Sequence, residues 1–207
     1  MVRTGLLVMA LALLAGSLHA QSAVPLGPVE IFREARDREF RNPAMSPLRP
    51  EDVRDFKGLA YFAVDSGFVV KARFEKAETG QTFRMPTSIG TTWIYAIHGY
   101  LIFEIGGRSF RLSAYLSESQ AKLTGPGRRL FVPFRDLTNG RETYGGGRFL
   151  DLIEPSGEEV RLDFNLAYNP SCAYGNDRFS CPLPPKENSL DVEVRAGEKA
   201  FLPKEPK

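Results

Sequence analysis

The sequence predicts a mainly β protein: an antiparallel β-sandwich or partly closed barrel with a short N-terminal helix. Three observations carry this. Helical periodicity is confined to residues 29–41. From about residue 67 the apolar pattern changes to a period of two. The gaps between these runs are mostly Gly, Pro, Asn and Asp, which are turn formers. Strands in a row joined by short turns cannot form a parallel sheet, because parallel neighbours need long crossovers.

The elements follow in chain order. Residues 1–20 read as a secretory signal peptide. Arg3 is the basic start, Leu6–Ala15 is an apolar run, and Gly16–Ala20 leads to a cut after Ala20 or a few residues later. The apolar run is too short to cross a bilayer, which takes roughly 20 residues, and no Cys stands near the cut to carry a lipid. The expected product is exported, periplasmic or extracellular, with no transmembrane segment after cleavage. Residues 21–28 form a loose lead-in, 29–201 a single β-rich domain, and 202–207 a flexible tail.

In 29–41, Ile31, Phe32, Ala35 and Phe40 share a stripe and charges fill the rest. Asn42-Pro43 stops this helix. Residues 46–52 begin a second helical turn. Residues 68–74 are strand-like. Residues 92–97 and 100–105 are expected as two strands ending at His98-Gly99 and Gly106-Gly107, a meander of hairpins. Further strands are expected at 110–116, 130–134, 149–153, 160–164 and 190–194.

Composition excludes several functions. The formal net charge is +2, and loss of residues 1–20 with Arg3 leaves +1. Such a chain has no field to attract nucleic acid. His98 is the one histidine outside the leader, so a His-rich zinc site is excluded and no metal or cofactor is expected. No nucleophile elbow, Walker loop, dinucleotide fingerprint or His-Glu-x-x-His is present. His98 reads as a turn residue rather than a general base.

Cys172 and Cys181 most simply form a disulfide in an oxidising compartment. A metal pair or redox couple is the alternative, but the spacing is not Cys-x-x-Cys and no His is near.

The polar residues of interest lie between 135 and 188. Tyr144 and Arg148 flank three glycines, which either expose N–H groups to an anion beside Arg148 or form a bulge or strand corner. Asp151 shares a strand face with Phe149 and Ile153. It needs an Arg partner from another strand, or it is a ligand-facing acid. Asp163 and Asn165 line the face opposite Leu162 and Phe164. Asn169 opens the cysteine loop, and Glu187 ends a stiff proline run. The loop is either a staple or a preorganised pocket wall.

These segments carry a resemblance. Residues 142–152 (ETYGGGRFLDL), 163–174 (DFNLAYNPSCAY), 181–188 (CPLPPKEN), 195–199 (RAGEK) and 56–62 (FKGLAYF) resemble ordered motifs of the bacterial and archaeal "domain of unknown function 1684" family. The resemblance spans roughly residues 30–200. It implies no activity or cofactor, but it implies that the polar segments form one feature.

Three functions remain. The first is a binding module for a small ligand or envelope component, with Tyr144, Arg148, Asp151, Asp163, Asn165, Asn169 and Glu187 as ligand-binding candidates. The second is a disulfide-stapled structural or protein-interaction domain. The third is a hydrolase using two acids from Asp151, Asp163, Glu142 and Glu187. Convergence of Arg148, Asp151, Asp163, Asn165 and Glu187 in one pocket would favour binding or catalysis, and dispersal into separate salt bridges would not.

Overall fold

A computed structural model describes residues 27–124 and 127–201. The expected signal peptide (1–20), most of the lead-in (21–26) and the tail (202–207) lie outside these residues, and Pro28, placed in the lead-in, already belongs to a helix. Helix α1 spans Pro28–Arg41. Proline suits the first helical turn because its missing N–H would have no partner there. The helix buries Val29 and Phe40, while Ile31 and Ala35 of the expected stripe are exposed and Phe32 is half-buried. A short helix α2 covers Pro50–Val53.

The strands are β1 (Val69–Lys76), β2 (Thr82–Pro86), β3 (Thr92–Ile105), β4 (Arg108–Ser117), β5 (Arg129–Phe134), β6 (Arg148–Ile153) and β7 (Glu159–Asp163). β2 was not expected. A third helical turn, α3 (Glu118–Ala121), follows β4, so helix is not confined to the N-terminus. Ser117 caps it by accepting from the Gln120 N–H at 3.3 Å.

All seven strands form one antiparallel sheet, ordered β6-β5-β4-β3-β1-β7, with β2 also on β3. The sheet curls into a half-barrel, the barrel-like of the two expected forms. After β7 the chain turns through Phe164–Leu166, and Tyr168 makes an antiparallel bridge to Phe149 of β6. The two ends of the curl are thereby joined.

The expected hairpin at His98-Gly99 is instead a bulge within one strand. β3 runs unbroken for 14 residues, and its register against β4 shifts between Ile97 and Gly99. The glycine serves close approach rather than a turn. A Cβ at Gly99 would lie 2.5 Å from the Phe74 ring and 2.6 Å from the Glu75 carbonyl. His98 is held there by Glu154, with Nε2 2.6 Å from Oε1. The extra residue also reverses the alternation. Leu101, Phe103 and Ile105 face the inner core, whereas Tyr95 and Ile97 join an outer cluster with Met85 and Tyr115.

The inner core gathers Leu101, Leu112, Leu130, Val132, Leu150 and Leu162, all at most 1% exposed. Burial of each such side chain contributes about 1.5–3 kcal/mol. Leu190, Val194 and Ala196 plug its open side. Residues 190–194 are not a strand, contrary to expectation. Their pattern is apolar, but their backbone partners are irregular: the Leu190 N–H donates to the Arg135 carbonyl at 2.8 Å, and the Val192 carbonyl accepts from Leu137 at 3.1 Å.

Candidate functional site

Arg148 opens β6 on the face shared with Leu150 and Leu152, and is 0% exposed. Its guanidinium donates to Asp136 Oδ2 at 2.8 Å, to the Val194 carbonyl at 2.8 Å and to the Ala196 and Glu198 carbonyls. Those carbonyls belong to the irregular plug, so Arg148 supplies the partners a neighbouring strand would have given. The glycines before it are a corner. Gly147 has φ +93°, and a Cβ there would lie 2.7 Å from the Phe134 carbonyl. Its N–H donates to the Tyr144 carbonyl. Arg148 and the glycines are therefore not an anion cradle.

The other polar candidates separate. Asp163 is buried, accepts from the Asn165 backbone N–H and Nδ2, and pairs with Arg161 at 3.0 Å. Asn165 is 0% exposed and clamps Asp65, accepting from its N–H at 3.0 Å and donating to its carbonyl at 2.9 Å. Glu187 is exposed. Its neighbour Asn188 is the buried one, accepting from the Ser113 N–H and donating to the Ser113 and Pro133 carbonyls. Tyr144 packs against the Phe40 and Tyr174 cluster beneath α1. Glu142 pairs with Arg195 at 3.1 Å. The four acids considered for hydrolysis thus have separate surroundings and form no pair. The Cys172–Cys181 disulfide is present, and Ala173 and Tyr174 within its loop pack under Phe40.

Asn169 joins a network whose centre the sequence reading missed. Glu198 is 1% exposed and accepts from the Tyr174 hydroxyl, Asn169 Nδ2 at 3.0 Å and Arg36 Nη2 at 3.4 Å. Burial raises its pKa, opposed by Arg36, Tyr174 and Asn169. Arg36 of α1 lies over the Phe40 and Tyr168 rings. The only sequence signal for Glu198 was its place in the quoted 195–199 segment. An acid beside Lys199 near a chain end reads as a surface charge until the fold turns it inward.

Asp151 has a different setting. It is exposed, on the outer face of β6 opposite Phe131 of β5. The Tyr168 hydroxyl donates to its Oδ2 at 2.9 Å. Loss of hydration among these groups raises its pKa, and the Tyr168 hydrogen bond, Arg129 and Arg36 oppose the rise. An aromatic band runs past it. Tyr95 stacks on Phe131 at 5.5 Å, Phe131 meets Phe149 edge-on at 4.7 Å, Phe149 meets Tyr168 at 5.9 Å, and Tyr168 meets Phe32 of α1 at 6.4 Å. At its far end an open cleft of about 650 Å³ lies between Trp93, Tyr95 and the start of α3. The strand alternation of Phe131, Phe149 and Asp151 was readable. The bulge that brings Tyr95 onto the same face was not.

No group of three His, Cys, Asp or Glu among the described residues is placed to hold a metal. No helix among them is long and apolar enough to cross a membrane.

The fold and site together define a curled antiparallel half-barrel with an inner core plugged by its C-terminal segment and, on the outer face, a largely buried aromatic band with Asp151 exposed beside it. The chain belongs to the family described as "Protein of unknown function (DUF1684)", which matches residues 54–199. It is similar to an uncharacterized protein of Haloarcula marismortui known from a solution NMR structure. The two are 41% identical, with a TM-score of 0.65, over 83% of this chain and 91% of that one. No curated protein matches the chain.

Proposed function

We propose that the chain is an exported binding module that takes a small ligand or envelope component on the outer face of the sheet, beside Asp151 and the cleft at Trp93. The observation that carries this is Asp151: an exposed carboxylate beside Phe131, tied through one oxygen to Tyr168, with a pKa raised by desolvation. A carboxylate that reaches solvent yet is partly stripped of hydration by its neighbours, with bonding capacity to spare, is a candidate site. Export is supported by the pattern of residues 1–20 and by a disulfide, which persists in oxidising compartments.

A second reading is a stapled domain that contacts another protein. The internal use of Arg148, Asp163 and Asn165 favours it.

A thermal-shift screen of the cleaved chain against sugars, peptides, anions and divalent metals separates the two. A ligand at 100 times its Kd adds about 2.7 kcal/mol. A shift that Asp151→Asn removes supports the binding module. No shift with any class leaves the structural reading. N-terminal sequencing of protein recovered outside the cytoplasm tests cleavage near Ala20.

A further inference from the structure

We infer that the cleft at Trp93 receives the apolar face of an uncharged sugar ring, an inference that rests on the binding-module reading and names its ligand class. Trp93 is the chain's single tryptophan and is 43% exposed. It stands on β3 opposite Met85 of β2, just beyond the end of β4, whose last residue Ser117 lies opposite Tyr95 two residues on. An indole on a fixed strand offers a flat apolar surface at little ordering cost. The cleft of about 650 Å³ is lined by Trp93, Tyr95, Ser117, Glu118, Ser119 and Lys122 among others, a size suited to one or two sugar rings.

The chemistry of the lining selects the class. Lys122 Nζ lies 2.7 Å from Glu118 Oε1, so the two charges cancel and the cleft favours neither anions nor cations. Ser117 and Ser119 hydroxyls lie 3.0 Å apart, and each hydroxyl has further hydrogen-bonding capacity. A peptide would add to a free strand edge, but β2 covers one side of Thr92–Ala96 and β4 covers the other from Tyr95 onward, so only the three residues 92–94 are left without a strand on the β4 side, too short a run for strand addition. What fits is a neutral molecule with a C–H face for the indole and a rim of hydroxyls for Ser117 and Ser119. Tyr95 is buried beneath the cleft, where it stacks on Phe131 and fixes the strand that carries Trp93.

The single tryptophan makes the test direct. The cleaved chain is titrated with glucose and N-acetylglucosamine oligomers, with a mixed hexapeptide and inorganic phosphate as comparators, and Trp93 emission is followed. The expected result is a saturable emission change with a saccharide. Calorimetry should then show binding weakened at least tenfold in Trp93→Ala and partly restored in Trp93→Phe, with unchanged circular dichroism. A shift only with peptide or phosphate that depends on Asp151 overturns the sugar assignment but leaves the binding module standing. Saccharide binding that Trp93→Ala leaves intact overturns the cleft assignment. No ligand of any class overturns both.

Discussion

Two charged residues three apart on β6 meet opposite fates. Arg148 points inward with Leu150 and Leu152, fully buried, its two Nη groups spent on Asp136 and the carbonyls of the plug and its Nε sealed off without a partner. Asp151 points outward, exposed, with one hydrogen bond from Tyr168. The stronger-looking sequence feature, an arginine after three glycines, is a strut. A charge fully buried and paired within its own chain is out of a ligand's reach. Spare bonding capacity on an ordered surface is the better mark of a site.

The comparison breaks most visibly at Arg148. Arg148→Met leaves Asp136 buried without its cation and three carbonyls without donors. The expected loss is about 3–5 kcal/mol, read as a lower urea midpoint. An unchanged midpoint would mean that Arg148 is no strut. Next comes the cysteine loop. Replacing Cys172 and Cys181 by Ser frees a loop of sequence separation nine. The chain-entropy account gives roughly 2–3 kcal/mol. Because Ala173 and Tyr174 of this loop pack under Phe40, hydrogen exchange in α1 should rise with it.

Much of the fold was legible, and the misses share a cause. The helix at 29–41 and most strands announce themselves by local period. The lost features depend on partners distant in sequence. Gly99 looks like a turn until Phe74 and Glu75 are seen against it. Residues 190–194 look like a strand until a side chain, Arg148, takes the role of a neighbouring strand. β2 has no continuous apolar run, with Arg84 and Pro86 among its five residues, and its partners come from β3. The strand face that Asp151 shares with Phe149 was legible because strand alternation is local. Glu198, Arg36 and Tyr95 were not, because each is brought in by a long-range element: the plug, α1 and the bulge.

The acids also differ in how they respond to pH. Arg128 and then His98 bind Glu154, which holds its pKa at about 2, below the ordinary 4.5. A depressed native pKa contributes stability above pH 4.5 that is lost as pH falls toward 2. Glu154→Gln should therefore cost roughly 1–3 kcal/mol near neutrality and flatten the acid limb of the stability profile between those values. An acid limb identical to wild type would remove Glu154 from the account. Glu198 has the opposite sign. Its raised pKa means that its contribution is greatest below the ordinary carboxylate range and is lost as pH rises through the raised value.

The smallest expected effect on stability falls at Asp151, and it is the sharpest separation of strut from site. Its pKa too is raised, so at neutral pH the folded state carries a carboxylate less well hydrated than in the unfolded chain. Asparagine removes that penalty and can still accept from the Tyr168 hydroxyl. Asp151→Asn should leave unfolding free energy within about 0.5 kcal/mol of wild type, as for surface substitutions, or slightly higher. A site residue held at a cost to the fold behaves this way, because selection for binding opposes the change that stability favours. Equilibrium urea unfolding at pH 7 measures the first quantity and ligand titration the second. A loss of several kcal/mol would place Asp151 with Arg148 among the struts and remove the chief support for a ligand on the outer face of the sheet.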